Sequence, residues 1–348
     1  MENLRLNVSL LRRKVPNLTS AAKSVGLRPA TVSNLCTGKI PVGRSEVRTL
    51  VALATLAECS LDELILRWEK TEMIETGIKT LDLFAPLAKG GTVGLVARPG
   101  MGQLVVLAEL FYKFKKDDFL TIMLMPEGEH PGLTDIVENL QVICHSIEEV
   151  YETIAQNGKQ KEIVFVADRS HVITGEIYSL QQRLADIGIE DVTTFLLDLK
   201  GESVDEELPY GPLETLWQFD IDLVARAKYP AINPIYSTSS ILEDSNIDQN
   251  HQAIQKAAQK LLRRYRELRS LVNVKGINYL PDSEIETFKR GERLEAYLTQ
   301  PFFVAEEFTK TSGVSVNLQD TLHDVKKILE GSVDDIDLVN LNYIGKLI

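Results

Sequence analysis

The chain has 348 residues, 44% hydrophobic and 25% charged, with 38 Lys and Arg against 50 Asp and Glu and a net charge of −12. That length accommodates two or three domains with separate cores, and the acidic balance excludes a protein that coats nucleic acid over its whole surface. No apolar run approaches the ~20 residues a spanning helix requires, and the first residues lack the apolar core of a secretory signal, so a cytoplasmic location is expected.

In chain order, an opening helix is predicted around residues 6–14. Residues 19–35 then read as two short helices about the turn Gly26-Leu27, where Gly26 supplies the positive φ of a tight helix-helix turn. Pro29 suits a first helical turn because its missing N–H is not needed there. Ala21, Val25, Leu27, Val32 and Leu35 face a shared core, leaving Arg28, Ala30, Thr31, Ser33 and Asn34 outside. Residues 1–66 hold nine Lys/Arg against five Asp/Glu, a surplus of +4, while the remainder holds 29 against 45. A basic head on an acidic body is the charge pattern of a small DNA-reading module.

Beyond residue 70 the texture changes to strands alternating with helices, the pattern of a parallel sheet. The clearest unit is a short apolar strand over residues 91–97, a Gly-rich loop, and a helix from Gln103 to about Lys115. Strand, Gly-rich loop and helix form the P-loop arrangement, in which backbone N–H groups and a helix N-terminus cradle phosphate. In the frame of G-x-x-x-x-G-K-[ST], residues 97–104 read ARPGMGQL. Gln103 stands at the phosphate-pairing lysine and Leu104 at the magnesium-binding hydroxyl, so both electrostatic tasks of phosphoryl transfer are vacant. Pro99 removes one more backbone donor.

A second apolar strand, residues 163–167, is closed by Asp168, read either as a metal-linked acid or as a turn residue. Residues 249–273 carry a helical stripe of Ile254, Ala258, Leu261, Tyr265, Leu268 and Val272 opposite Arg263, Arg264, Arg266 and Arg269. The stripe is expected to be core and the arginines a solvated face. Cys36, Cys59 and Cys144 are odd in number and far apart, which excludes a disulfide framework or zinc ribbon. The five histidines show no metal-ligand spacing, so no metal is expected.

Two resemblances follow from these residues. Residues 19–66 resemble the phage-repressor (Cro and C1 type) helix-turn-helix family. That resemblance implies Arg28, Thr31 and Asn34 at base edges or nearby phosphates, with Lys39 and Arg44 on phosphates. Residues 74–91 (IETGIKTLDLFAPLAKGG), 229–240 (YPAINPIYSTSS), 262–268 (LRRYREL) and 298–309 (LTQPFFVAEEFT) resemble, in order, segments of the catalytic beta subunit of rotary ATP synthase. This implies an adenine pocket of Tyr229, Phe302 and Phe308, phosphate contacts at Gly100 and Gly102, and a metal-linked role for Asp168. The catalytic glutamate falls at Glu129, and the arginine that reaches a neighbouring site in the sister subunit is here Ser240. An arginine finger is worth about 10³-fold or more, so the degenerate positions Gln103, Leu104, Glu129 and Ser240 together imply a pseudo-ATPase.

The expected fold is α/β: an N-terminal all-α helix-turn-helix (residues 1–70), a central RecA-like P-loop sheet with flanking helices (71–245), and a helical C-terminal domain (246–348), truncated relative to the family. The expected function is a DNA-binding transcriptional regulator or DNA-organising protein whose inactive ATPase-like body provides oligomerisation. Its partners would be double-stranded DNA and further copies of itself, in a hexameric ring as in the relatives, and assembly into a working synthase is not expected. No cofactor is expected, with ATP or ADP binding without turnover as an alternative. A residual ATPase with Arg98 or Lys89 standing in for the missing lysine is a further alternative.

Overall fold

The computed structural model describes residues 4–15, 18–37, 39–67, 72–126, 128, 131–206, 210, 213–243 and 248–347. The N-terminal unit runs β1 (Leu4–Leu6), α1 (Val8–Lys14), α2 (Leu18–Ser24), α3 (Pro29–Cys36), α4 (Val47–Leu56), α5 (Leu61–Leu64) and β2 (Ile65–Arg67). Leu11, Ala22, Val32, Leu35, Leu53 and Leu64 are buried in one shared core. Asn7 caps α1 by accepting the Leu10 N–H, and Ser60 with Glu63 closes a reciprocal capping box on α5. Gly26, between α2 and α3, takes φ +75°, as the turn requires.

The unit is not all-α, which corrects the sequence expectation. β1 and β2 pair antiparallel, from Leu4 opposite Arg67 to Leu6 opposite Ile65, and tie the two ends of the unit together. Each strand is three residues long with its partner far off in the chain, so no local alternation announces it.

A connecting segment follows, in which β3 (Met73–Ile74) pairs antiparallel with β4 (Leu87–Ala88) around α6 (Lys79–Phe84). The central sheet then forms from β5 (Thr92–Val96), β6 (Leu120–Leu124), β7 (Val142–Cys144), β8 (Ile163–Asp168), β9 (Val192–Leu197), β10 (Thr215–Gln218) and β11 (Thr238–Ser239). Between these strands come α7 (Gln103–Lys116), α8 (Thr134–Asn139), α9 (Ile147–Asn157), α10 (Ser170–Ile173), α11 (Glu176–Asp186) and α12 (Ile221–Ala225). The strand order is β11-β10-β5-β9-β8-β6-β7, parallel throughout except for β11.

Strands covered on both faces need apolar residues at every position, and β5, β6 and β9 are buried along their whole length. Alternate side chains serve opposite faces. Val93, Leu95, Phe195 and Trp217 join α7 in one core, and Val96, Ile122, Phe165 and Leu196 join α9 and α11 in another. Trp217 is fully buried, and its indole N–H donates to the Ala85 carbonyl at 2.9 Å.

The C-terminal helices are α13 (Gln249–Lys275), α14 (Asp282–Tyr297), α15 (Glu306–Thr309) and α16 (Leu318–Glu330). Ile254, Leu262, Leu294, Leu322 and Val325 pack with Leu83 and Phe84 of α6, so the connecting segment belongs to the C-terminal core as well. At Gly291 an added Cβ would lie 2.3 Å from the Tyr265 Cβ, so α13 and α14 meet there with no room for a side chain. The expected solvated arginine face of α13 is met at Arg263 and Arg264, which are exposed, and is corrected at Arg266 and Arg269. Arg264 pairs with Glu267 and Glu284 at 2.7 and 2.6 Å, Arg266 with Asp220 at 3.5 Å, and Arg269 with Asp222 at 2.6 Å. Two of these arginines therefore join the helical domain to the sheet.

Candidate functional site

In an open parallel sheet, ligands sit beyond the carboxyl ends of the strands near the point where chain direction across the sheet reverses. Here that edge carries the loop after β5, Asp168 at the end of β8, and Asp198 just past β9. Strand β9 lies between β5 and β8, so Asp168 is two strands away from the loop.

The loop occupies residues 97–102, and Gly100 and Gly102 take φ +85° and +89°, the left-handed backbone of a tight anion-cradling turn. Its residues contact the loop backbone and the neighbouring turn. Met101 is buried, and its Sδ accepts the Arg98 N–H at 3.1 Å. The Pro99 ring stands against Gly201, where an added Cβ would meet Pro99 Cδ at 2.6 Å. Gln103, the first residue of α7, is buried, and Leu104 packs beside Gly132 and the core below α7. The positions that would carry a phosphate-pairing cation and a metal-binding hydroxyl are thus a buried amide and a packing leucine.

Cations near the loop are engaged by carboxylates of the same chain. Arg98 donates to Asp205 at 2.9 Å, and the Arg169 guanidinium meets Glu206 and, at 3.7 Å, Glu202. Lys89 lies instead with Glu72 and Glu162, beside the start of β5. Asp168 accepts from the Ser170 N–H (3.0 Å) and hydroxyl (2.7 Å) and from the Leu199 N–H (3.2 Å). These are the bonds of a turn residue. Glu129 lies outside the described residues. The Ser240 hydroxyl is buried without a hydrogen-bond partner, and its N–H donates to the Glu214 carbonyl at 2.8 Å.

The three expected adenine-facing aromatics differ in exposure. Tyr229 stands over the loop, its ring 3.6 Å from where a Cβ on Gly102 would lie. Phe302 is buried in the core beneath α7, while Phe308 is 92% exposed on α15. The neighbouring Phe303 stacks on Tyr112 with centroids 5.4 Å apart. Among the described residues no group of three or more His, Cys, Asp or Glu is placed to hold a metal ion, and no helix is long and apolar enough to cross a membrane.

Sequence reasoning missed three residues of this edge and of the junction below it. Met101 turns its sulfur onto the Arg98 N–H of the loop. Asp198 fixes the turn after β9 by accepting the N–H groups of Lys200, Gly201 and Ser203. Lys79, inside the quoted segment 74–91, is fully buried, and its Nζ donates to the carbonyls of Tyr297, Thr299, Ile344 and Gly345. A helix carrying Lys79, Thr80 and Asp82 among the apolar Leu81, Leu83 and Phe84 was the available signal.

In the N-terminal unit, Arg28 at the N-cap of α3, Lys39 and Arg44 are exposed, and Thr31 and Asn34 are half-buried. The basic surplus that pointed to DNA is smaller than its count. Arg12 is buried and adds nothing to the exposed surplus.

Residues 241–336, which include α13 to α16, match the family described as the C-terminal domain of V and A type ATP synthase. The fold is similar to that of a structure titled as a unique ATP synthase subunit, NeqB, from Nanoarcheaum equitans. The TM-score is 0.59 at 16% identity, over 78% of this chain and 80% of that one. These findings overturn the reading of the chain as a DNA-binding regulator with double-stranded DNA as partner. A short helix pair about a glycine is a widely shared pattern that does not fix function, whereas the synthase likeness extends over most of the molecule. The chain is thus similar in sequence to an ATP synthase domain over residues 241–336, and in fold to the NeqB subunit over 78% of its length.

Proposed function

We propose that the chain is a non-catalytic subunit of an ATP synthase-type assembly, with other synthase-type subunits as its partners. The observation that carries this is the loop of residues 97–104. It keeps the position and glycine conformations of a phosphate cradle, but the Met101 sulfur takes the Arg98 N–H, and Gln103 and Leu104 stand where a lysine and a hydroxyl would be needed. Phosphoryl transfer rests on precisely placed charge, and the arginines beside the loop are already paired with Asp205, Glu202 and Glu206. The proposed division is a helical head (1–70), a RecA-like sheet domain (71–245) and a helical C-terminal domain (246–348). Within the synthase group, the four ordered motifs favour descent from the catalytic beta lineage.

Mg-ATP hydrolysis by the purified chain tests the non-catalytic part. Release of phosphate at the rate of the buffer blank is expected. Turnover that rises with enzyme concentration and is lost on Gln103→Ala would overturn it.

A further inference from the structure

Away from the phosphate loop, a cavity of about 50 Å³ opens where α12 and the residues after it meet α13 and α14. None of residues 97–104 lines it. Its charged lining is four cations, Arg226, Lys228, Arg266 and Arg269, against three carboxylates. Those carboxylates are already committed. Arg226 donates to both Asp222 and Glu295, and Asp220 accepts from Asn233 at 2.7 Å and faces Arg266.

Arg269 is the group left incomplete. Its Nη2 donates to Asp222 at 2.6 Å, but Nε and Nη1 are buried with no hydrogen-bond partner, and the Glu295 Oε1 stands 3.9 Å from Nη1. Leaving donors of a buried cation unpaired is costly, more so than for a neutral group. The unpaired donors lie on different edges of the guanidinium, so one acceptor atom does not serve both. A water needs roughly 10–15 Å³ on this measure, so the space holds a few waters or one compact anion. Leu223, Leu262 and Leu298 form apolar wall and limit the size of an occupant.

We propose that this seam is a binding site for a small oxyanion, phosphate or a short carboxylate, held by the free edges of Arg269. Such an ion offers acceptors on several sides and balances the one surplus cation of the lining. Its occupancy would join the sheet domain to the C-terminal helices through the same arginine that already bridges them.

The test is calorimetric titration of the full chain with potassium phosphate, and separately with acetate, each at constant ionic strength set by chloride. Saturable one-to-one binding of at least one of them is expected, and which one binds identifies the source. Arg269→Lys keeps the charge but loses the second edge, and Leu262→Phe fills the space while leaving the charges intact. Each is expected to weaken binding by about tenfold or more. Absence of saturable heat with both ions in the unaltered chain, or unchanged affinity in either variant, would overturn the proposal and leave the cavity to water.

Discussion

Replacing Lys79 with Met removes a cation from the junction of the connecting segment, the end of α14 and the C-terminal tail. The ammonium donates to four carbonyls and lies 4.1 Å from the Tyr297 ring centroid. Burial holds its pKa down to about 7 from an ordinary 10.5, opposed by the charge of Asp324. Between those two values the unfolded chain binds a proton that the folded chain does not. This contribution to stability is therefore complete above pH 10.5 and is lost as the pH falls toward 7. One pH unit of such a difference is worth at most about 1.4 kcal/mol, so the window adds up to about 4–5 kcal/mol. At pH 7 the variant also leaves carbonyls without their donor, at a cost of about 3 kcal/mol once the avoided desolvation of the cation is counted. Urea unfolding followed at pH 7, 8, 9 and 10 measures both effects. The unaltered chain should gain stability on Lys79→Met as the pH rises. Parallel profiles, or a variant of unchanged stability at pH 7, would refute the reasoning.

Gly291→Ala places a methyl where Tyr265 already stands and should lower stability by about 1–3 kcal/mol, read as a reduced urea midpoint. Trp217→Ala empties a fully buried site and removes the bond to Ala85, which should cost about 3–5 kcal/mol in the same assay. Burial raises all three thiols, Cys36 to about 12, but only Cys36 and Cys144 are closed off from solvent. An aromatic disulfide reagent at pH 8 should therefore label the half-exposed Cys59 first, with the other two reacting only on unfolding. Arg98→Ala should leave phosphate release from ATP at the blank rate, because Arg98 is held by Asp205 rather than presented to the loop.

The sheet was legible because its strands are buried on both faces and leave continuous apolar runs, as over residues 92–96 and 163–167. The loop was legible too, since Gly100 and Gly102 fix its shape and Gln103 and Leu104 record what it lacks. Other features depended on contacts between distant segments. The β1/β2 ladder joins two three-residue strands at opposite ends of the N-terminal unit. Arg269 belongs to an amphipathic helix whose polar face happens to meet another domain, which helical periodicity does not distinguish from solvent. The Met101 sulfur accepting the Arg98 N–H depends on a side-chain direction that no spacing rule supplies. The DNA-binding reading failed for a related reason. Residue counts gave a basic head, but Arg12 is buried, and the pattern around Gly26 specifies a helix pair rather than a ligand.

Native mass spectrometry of the tagged chain, isolated under gentle conditions from the cells that make it, decides whether it assembles with synthase-type subunits. A complex of fixed stoichiometry in which this chain is held with other ATP synthase-type subunits is expected. A chain recovered alone, or recovered with DNA and no such subunit, would contradict it.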